Sequence, residues 1–165
     1  AASDVYKRQE DMISSLDKSA KYDVYKLVNH GYKETMGRIG KLPFPMSVEK
    51  ALSYIKNKLE VPVLRYAGNK DCLVEKIAIL GGAGAEFAGV AKSMGADLYL
   101  TGDLKYHEAQ DAAMNGLVIA DGGHFYTERV IIPYLAKRLR DEFKTRGWNV
   151  GVLEDVRAKD IFHCV

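Results

Sequence analysis

The sequence predicts an α/β protein whose parallel or mostly parallel sheet is flanked by helices. Short apolar segments, typical of buried strands, alternate with longer segments of helical periodicity from residue 61 onward. Glycine-rich turns follow several of the strand-like segments, as they do in βαβ units. Hydrophobic residues make up 47% and charged residues 28% of the 165 positions, which indicates a globular chain with a real core.

The chain is predicted to have three parts. Residues 1–9 resemble non-native adapter sequence, so we exclude them from fold prediction and expect native sequence upstream to be missing. Residues 10–45 are expected to form an arm or linker from a preceding lobe, in which Pro43 and Pro45 block regular structure. Residues 46–165 are predicted to form a carboxyl-terminal α/β metal-binding lobe.

The first helix of this lobe is predicted to begin after Ser47, whose hydroxyl can cap it. Apolar residues then recur at helical spacing, namely Val48, Leu52, Ile55 and Leu59. Residues 61–66 and 75–80 are the next predicted elements. Both are predicted to be strands because they are short, rich in apolar residues and bounded by turn residues.

A glycine-rich turn and a helix are predicted over residues 81–95, with Gly95 ending the helix. Its apolar residues are expected to share one face: Phe87, Val90, Ala91 and Met94. Residues 97–101 form the next predicted strand. Asp103 is expected to cap a helix that runs to Asn115.

The same alternation continues to the end of the chain. Residues 117–120 form a short and wholly apolar predicted strand. A helix is predicted over residues 127–143, and Pro133 is expected to kink it because proline lacks a backbone donor. A last strand is predicted over residues 148–153.

Three polar, glycine-containing segments follow the predicted strands: "GGAG", "TGD" and "DGGH". In open α/β sheets, ligands bind beyond the carboxyl ends of the strands. We therefore expect these three segments to meet at one edge of the sheet and to form the functional site.

His124 and Glu128 are the candidate metal ligands at this edge. They are four residues apart, so in a helix that begins near Phe125 their side chains lie on one face. An imidazole nitrogen and a carboxylate suit Zn, Fe, Mn or Co. The alternative is that His124 merely caps the helix and Glu128 complements its dipole, and for an arbitrary pair at this spacing that alternative is favoured, because so short a motif often occurs by chance.

Asp103 and His107 are the candidate catalytic residues. Asp103 follows a predicted strand, and His107 lies one turn into the next helix, so both are expected near the shared edge. A histidine there can act as a general acid or base or bind an anionic substrate. Taken singly, each residue is better explained more simply, Asp103 as a helix cap and His107 as a surface histidine.

Gly82 and Gly84 are candidate cofactor-binding residues. The segment that begins at Gly82 partly matches a dinucleotide fingerprint, but Phe87 stands where glycine or alanine is required. Binding of a phosphate to backbone donors at this turn is also conceivable without a dinucleotide. No lysine of the P-loop type follows, which excludes that motif.

Charge and hydropathy limit the other classes of function. The net charge of +2 arises from interspersed charges rather than a basic block, so we expect no nucleic-acid partner. No segment approaches the length of about 18 apolar residues that spans a membrane. Cys72 and Cys164 form no CxxC pair, so neither a disulfide framework nor a thiolate zinc site is indicated, and a cytoplasmic location is expected.

Several motifs in order, "GRIGKLP", "GGAGAEF", "YLTGDLKYHEA" and "IADGGHFYTE", resemble the carboxyl-terminal half of the Nif-three-like family, also called GTP cyclohydrolase 1 type 2 homologues. The resemblance runs from Gly37 to the end of the chain. It implies one lobe of a two-lobed α/β fold with two divalent metal ions between the lobes, assembled as a toroidal homohexamer. His124 and Glu128 match the two metal ligands of the last family motif.

The remaining family ligands come from a His-His-Pro motif and an aspartate in the amino-terminal lobe. This sequence contains no His-His-Pro, so it is expected to hold half of a site and to be inactive as a fragment. The leading hypothesis is a metal-dependent hydrolase acting on GTP, another nucleotide or another small molecule, with Asp103 and His107 orienting substrate or moving protons. The alternatives are a metal-binding interaction or regulatory protein and, more weakly, a Rossmann-type dinucleotide binder.

Overall fold

The computed structural model describes residues 36–163, and every element below belongs to the unit Thr35–Val165. The predictions for residues 1–9 and for most of the arm lie outside the described residues. The order of elements is β1 (Arg38–Ser47), α1 (Val48–Leu59), β2 (Arg65–Ala67), β3 (Leu73–Ala83), α2 (Ala88–Ser93), β4 (Leu98–Gly102), α3 (Tyr106–Met114), β5 (Val118–Asp121), α4 (His124–Glu128) and α5 (Ile131–Thr145). A 3-10 turn, Ala85–Phe87, precedes α2.

The five strands form one mixed sheet in the order β1-β3-β4-β5-β2. The three central strands are parallel, whereas β1 and β2 pair antiparallel at the two edges. Helices connect the parallel strands, as the geometry of parallel pairing requires. The predicted α/β class with a mostly parallel sheet is confirmed.

Both faces of the sheet are buried, which explains why its central strands are almost wholly apolar. Leu98 and Leu100 of β4 face α1 and its residues Val48, Leu52 and Ile55. Tyr99, between them, faces the opposite side with α2 and α3. This alternation within one strand follows from the two-residue period of side chains.

Helix α1 forms as predicted. Ser47 is its N-cap and accepts a hydrogen bond from the backbone N–H of Lys50 at 3.4 Å. Val48, Leu52 and Ile55 are buried, and Leu59 packs against the same core. The cap and the apolar stripe together set the direction in which this helix crosses the sheet.

The prediction that Pro43 and Pro45 block regular structure is wrong. Both lie within β1, an edge strand whose register with β3 shifts between Lys41 and Met46. A proline is tolerated at such a place because an edge strand leaves one side without ladder hydrogen bonds. The sheet therefore includes residues that were assigned to the arm.

The strand predicted over residues 148–153 is also absent; this segment has no regular structure. The edges of the sheet are formed by the antiparallel strands β1 and β2, and this segment pairs with neither of them. It instead lies along α5, where Arg140 donates to the carbonyl of Val152 at 3.0 Å and pairs with Glu154 at 2.8 Å. This segment therefore contacts helix α5 instead of forming a strand of the sheet.

The two turns around α2 and β2 differ from the predictions in detail. The strand predicted over residues 61–66 shrinks to β2, because Val61 still bonds to the end of α1 through the carbonyl of Lys56. The 3-10 turn before α2 changes the helical phase. Within α2 itself, Ala91 is buried whereas Val90 and the C-cap residue Met94 are about half exposed, so the predicted single apolar face is wrong.

In place of the predicted kink at Pro133, the helix has a break in its hydrogen-bond pattern before that residue, at Arg129 and Val130, whose backbone angles remain helical. Helix α4 ends at Glu128, and α5 starts at Ile131 with Val130 as its N-cap. Pro133 therefore lies in the first turn of α5. The N–H groups of a first turn have no intrahelical acceptor, so the lack of an N–H in proline costs no helical hydrogen bond there. The break makes α4 a separate short helix that carries the site.

Candidate metal centre

The site is built where the parallel strands end. Strands β3, β4 and β5 finish at Ala83, Gly102 and Asp121, and α4 starts three residues after β5. Gly102 permits the close approach of two of these loops, because a Cβ there would lie 2.9 Å from the backbone of Gly123 and His124. The three predicted segments do meet at one edge.

His124, Glu128 and Asp103 come together at this edge. The Nδ1 of His124 lies 2.7 Å from Oδ2 of Asp103, and its Nε2 lies 3.2 Å from Oε1 of Glu128. All three side chains are about half exposed, so solvent or a ligand can reach them. Because an ionised carboxylate only accepts hydrogen bonds, Nδ1 is the donor toward Asp103.

This arrangement fits a metal ligand pair. Two ligands bound to one ion at about 2.0–2.2 Å each lie roughly 3–3.5 Å apart, and the Nε2–Oε1 distance falls within that range. Metal-binding histidines commonly donate their other ring N–H to a carboxylate, which is the position of Asp103. His124 and Glu128 thus suit ligand roles, and Asp103 suits the orientation of the imidazole.

The alternative in which His124 caps the helix is wrong. Gly123 is the N-cap of α4, and no side chain caps it. Glu128 is the last residue of α4 and lies two residues before the N-cap of α5, so its charge does not complement the dipole at the amino terminus of α4.

Asp103 does not cap α3 as predicted. Lys105 is the N-cap, and its backbone N–H is bound by Glu108 at 3.0 Å. Asp103 adopts a left-handed backbone with φ of +53°, which is uncommon outside glycine although aspartate tolerates it better than most residues. This conformation accompanies the hydrogen bond of its side chain with His124.

The neighbouring carboxylates make the imidazole of His124 more basic than an ordinary histidine side chain. The hydrogen bond with Asp103 raises the pKa of His124, the nearby charge of Glu128 raises it further, and partial desolvation opposes both. A more basic imidazole is a stronger metal ligand once it is deprotonated, since proton and metal compete for the same nitrogen.

A chain of buried hydroxyl contacts fixes the three loops to one another. Thr127 accepts a hydrogen bond from the backbone N–H of Gly82 at 3.0 Å and lies within 2.8 Å of the carbonyl of Gly123. Thr101 accepts from the N–H of Gly84 and donates to the carbonyl of Gly82, both at 3.0 Å. The two threonines therefore position α4 over the end of β3, a role that the sequence did not reveal.

The predicted cofactor glycines have structural tasks of this kind. The N–H groups of Gly82 and Gly84 are both engaged by threonine hydroxyls, so neither amide is free for a phosphate. Gly82 has φ of +68°, and a Cβ there would lie 2.4 Å from Oε1 of Glu128. The absence of a side chain at Gly82 leaves room for the carboxylate of Glu128. Dinucleotide binding stays a prediction, and the amides of Gly82 and Gly84 offer it no free donor.

His107 lies apart from this cluster. It is exposed on α3, where its ring packs edge-on against Tyr106 at 5.6 Å. It does not line the groove that contains His124 and Glu128. The structure thus brings together Asp103, His124 and Glu128 but does not add His107 to them.

An open groove of about 1570 Å³ extends from the site. Its walls are largely apolar and come from the end of α1, from α5 and from the terminal segment after residue 150, for example Leu59, Ile131, Leu135 and Leu153. The positive residues of its lining are Lys58, Arg65, Arg129 and Lys159. Arg129 pairs with Glu60 at 2.6 Å and lies over the rings of Phe125 and Tyr126.

Among residues 36–163, no three His, Cys, Asp or Glu side chains are arranged to hold one metal ion. Asp103 faces the opposite nitrogen of His124, which leaves the pair with Glu128 as the candidate ligands. Within the same range, no helix is both long enough and apolar enough to cross a membrane.

Fold and site together define an α/β protein with a histidine–carboxylate pair at the carboxyl ends of its parallel strands. Comparison with known sequences gives its family: the pattern of the Duf34/NIF3 (NGG1p interacting factor 3) family matches residues 6–159. The chain therefore belongs to the Duf34/NIF3 family, and the resemblance seen in its motifs is confirmed.

Curated relatives agree with this assignment. The chain is 35% identical over 131 residues to a GTP cyclohydrolase 1 type 2 homolog of Bacillus subtilis, covering 79% of this chain and 35% of that protein. A Clostridium perfringens protein of the same name is 36% identical over 130 residues, with 79% and 48% coverage. The chain thus spans between a third and a half of the length of these two relatives.

Solved structures share the fold. A Bacillus cereus protein related to NIF3 superposes with a TM-score of 0.79 at 35% identity, over 95% of this chain and 44% of that one. A Staphylococcus aureus protein gives a TM-score of 0.74 at 31% identity, over 78% and 42%.

Proposed function

We propose that this chain supplies two ligands, His124 and Glu128, to a divalent metal centre of a metal-dependent hydrolase. The observation that carries the proposal is the Nε2–Oε1 distance of 3.2 Å at the ends of the parallel strands, with Asp103 on the opposite nitrogen. The name of the curated relatives, GTP cyclohydrolase 1 type 2 homolog, supports GTP or another nucleotide as the first substrates to test.

Each residue has a distinct task in this proposal. Glu128 anchors the ion as an anionic ligand, and the Nε2 of His124 supplies a neutral one. Asp103 holds the proton on Nδ1, which keeps the lone pair of Nε2 directed toward the ion. A divalent ion in such a centre acts as a Lewis acid and lowers the pKa of water, which is the chemistry that hydrolysis needs.

The pair does not complete a catalytic centre by itself. Structural zinc sites have four protein ligands and catalytic sites usually three. We therefore propose that the additional sequence of the longer relatives, which this chain does not contain, supplies further ligands. Those ligands would also complete the binding site of a second ion. Assembly into a homohexamer stays a prediction.

Turnover by a complete centre tests the proposal. The chain is joined to the remaining length of the Bacillus subtilis relative, loaded with Zn, Mn or Fe, and its metal content is confirmed by elemental analysis. Consumption of GTP and other nucleoside triphosphates is then followed by chromatography. We expect metal-dependent turnover that Glu128→Gln lowers by at least about 100-fold, because the substitution removes the anionic ligand.

Glu142→Gln is the matched control, since Glu142 is a half-exposed carboxylate on α5 that pairs only with Arg146 among the described residues. It should leave turnover unchanged. A loaded protein that consumes none of these nucleotides, or a Glu128→Gln variant as active as the parent, would contradict the proposal.

A further inference from the structure

Arg65 is a second functional feature of the groove. It is the first residue of β2, where the backbone register places it opposite Asp121 at the end of β5. Its Nη2 donates to Oδ2 of Asp121 at 2.5 Å and to the carbonyl of Leu104 at 3.4 Å. Leu104 directly follows Asp103, so this guanidinium lies beside the loop that orients His124.

Asp121 fixes the guanidinium in place. The aspartate is only 7% exposed, and its oxygens also accept from the backbone N–H groups of Leu104 at 3.3 Å and Gly123 at 3.0 Å. A carboxylate held by three donors cannot readily turn away, so it gives Arg65 a set orientation. Such preorganisation lowers the entropic cost of binding a ligand.

The rest of the guanidinium remains available. The Arg65 side chain is 71% exposed, and within residues 36–163 its Nε and Nη1 have no hydrogen-bond partner. A residue that served only to attach β2 to the sheet would not need to leave these donors in a groove that also contains His124 and Glu128. Guanidinium donors match the oxygen geometry of phosphate and carboxylate groups.

We infer that Arg65 is a specificity-determining residue that binds the oxyanion, phosphate or carboxylate, of a substrate whose reacting part lies at the His124–Glu128 pair. The inference deepens the proposed function and rests on it. In the metal-free chain Asp103 and Glu128 place two carboxylates at the pair, so donors for a substrate oxyanion have to lie away from them on the wall of the groove. Arg65 suits this role better than Arg129: its side chain is 71% exposed and its Nε and Nη1 have no partner among residues 36–163, whereas that of Arg129 is 36% exposed and lies over the rings of Phe125 and Tyr126.

The test measures oxyanion binding to the full chain without metal, so that phosphate cannot bind through an ion. Inorganic phosphate and acetate are titrated in the presence of a chelator, and binding is followed by the NMR resonances of arginine Nε–H groups. We expect a saturable shift of the Arg65 resonance with a dissociation constant on the order of 1–10 mM. The oxyanion that binds more tightly identifies which group of the substrate is recognised.

Arg65→Gln should weaken this binding at least tenfold, and Arg65→Lys, which keeps the charge but not the fork of donors, should retain part of it. Arg146→Gln is the matched control, because Arg146 also pairs with one carboxylate, Glu142, but lies outside the groove. It should bind as the parent does. The wild-type resonance shift remains informative even where a variant does not fold.

Two results would overturn the inference: no saturable shift of Arg65 with either oxyanion, or equal affinity in the parent and Arg65→Gln. Metal retention is measured separately, on chelator-free samples of the same protein preparations. Loss of the proposed metal centre would appear as absent metal in the parent, whereas failure of this inference would appear in the titrations alone.

Discussion

Removal of the Thr127 hydroxyl tests how the site is positioned. Thr127 is 7% exposed, and its hydroxyl is the acceptor for the buried N–H of Gly82. Valine has nearly the same shape but no hydroxyl, so Thr127→Val leaves that N–H without a partner. The same change removes the contacts of the hydroxyl with the carbonyls of Gly123 and His124.

The expected cost is about 2 kcal/mol of unfolding free energy, since an unsatisfied buried donor costs about 1–3 kcal/mol. With a urea m-value of about 1–3 kcal/mol/M, this corresponds to a midpoint shift of roughly 1 M. Thr127→Ser is the control. It keeps the hydroxyl and loses only a methyl group, which should cost no more than about 1 kcal/mol.

Urea denaturation followed by fluorescence of Trp148 and by circular dichroism measures both variants, and amide exchange of Gly82 reports the local effect. The Gly82 amide should exchange faster in Thr127→Val than in Thr127→Ser. A valine variant as stable as the parent to within about 0.5 kcal/mol, with unchanged exchange at Gly82, would refute the positioning role of this hydroxyl.

Three further predictions concern the same loops. Asp103→Asn should weaken Zn binding by about 10- to 100-fold in equilibrium dialysis, because it loosens the imidazole without removing a ligand; equal affinity would exclude the orienting role. In the metal-free chain, NMR titration should give His124 a pKa above the ordinary imidazole value, because it bonds to Asp103. The pair then stabilises the fold at low pH, and this contribution is lost as pH rises through that raised pKa; Asp103→Asn should lower the pKa, and an unchanged value would contradict the cause given. Gly82→Ala should cost at least about 1–2 kcal/mol of stability in urea denaturation, since its φ is positive, and should weaken metal binding, since the new Cβ displaces Glu128; an alanine variant that matches the parent in both would contradict the described packing.

The fold class and the proximity of His124 to Glu128 were predictable because their signals are local. Burial on both faces makes strands such as Leu98–Gly102 almost wholly apolar, so they stand out from the amphipathic helices. The pair of His124 and Glu128 needs only one helical turn to be brought together. Both predictions depend on residues a few positions apart.

The features that sequence reasoning missed depend on pairing between distant segments. Arg65 lies opposite Asp121 only because β2 pairs antiparallel with β5. No local sequence pattern predicts this strand pairing. Strand β1 tolerates its prolines because it is an edge strand, and the segment of residues 148–153 contacts α5 through Arg140 rather than joining the sheet. Asp103 hydrogen-bonds with His124 rather than capping α3. The left-handed backbone at Asp103 that accompanies this bond was not foreseeable from the sequence.

The central claim, that His124 and Glu128 form a metal ligand pair, is tested most directly by metal affinity. Zn, Mn and Fe binding to the chain, to His124→Ala and to Glu128→Ala is measured by equilibrium dialysis and elemental analysis, with Glu142→Gln as the control. The account predicts weak binding by the parent and the control, and affinity at least about tenfold lower in both alanine variants. Equal affinity in all four proteins would contradict it.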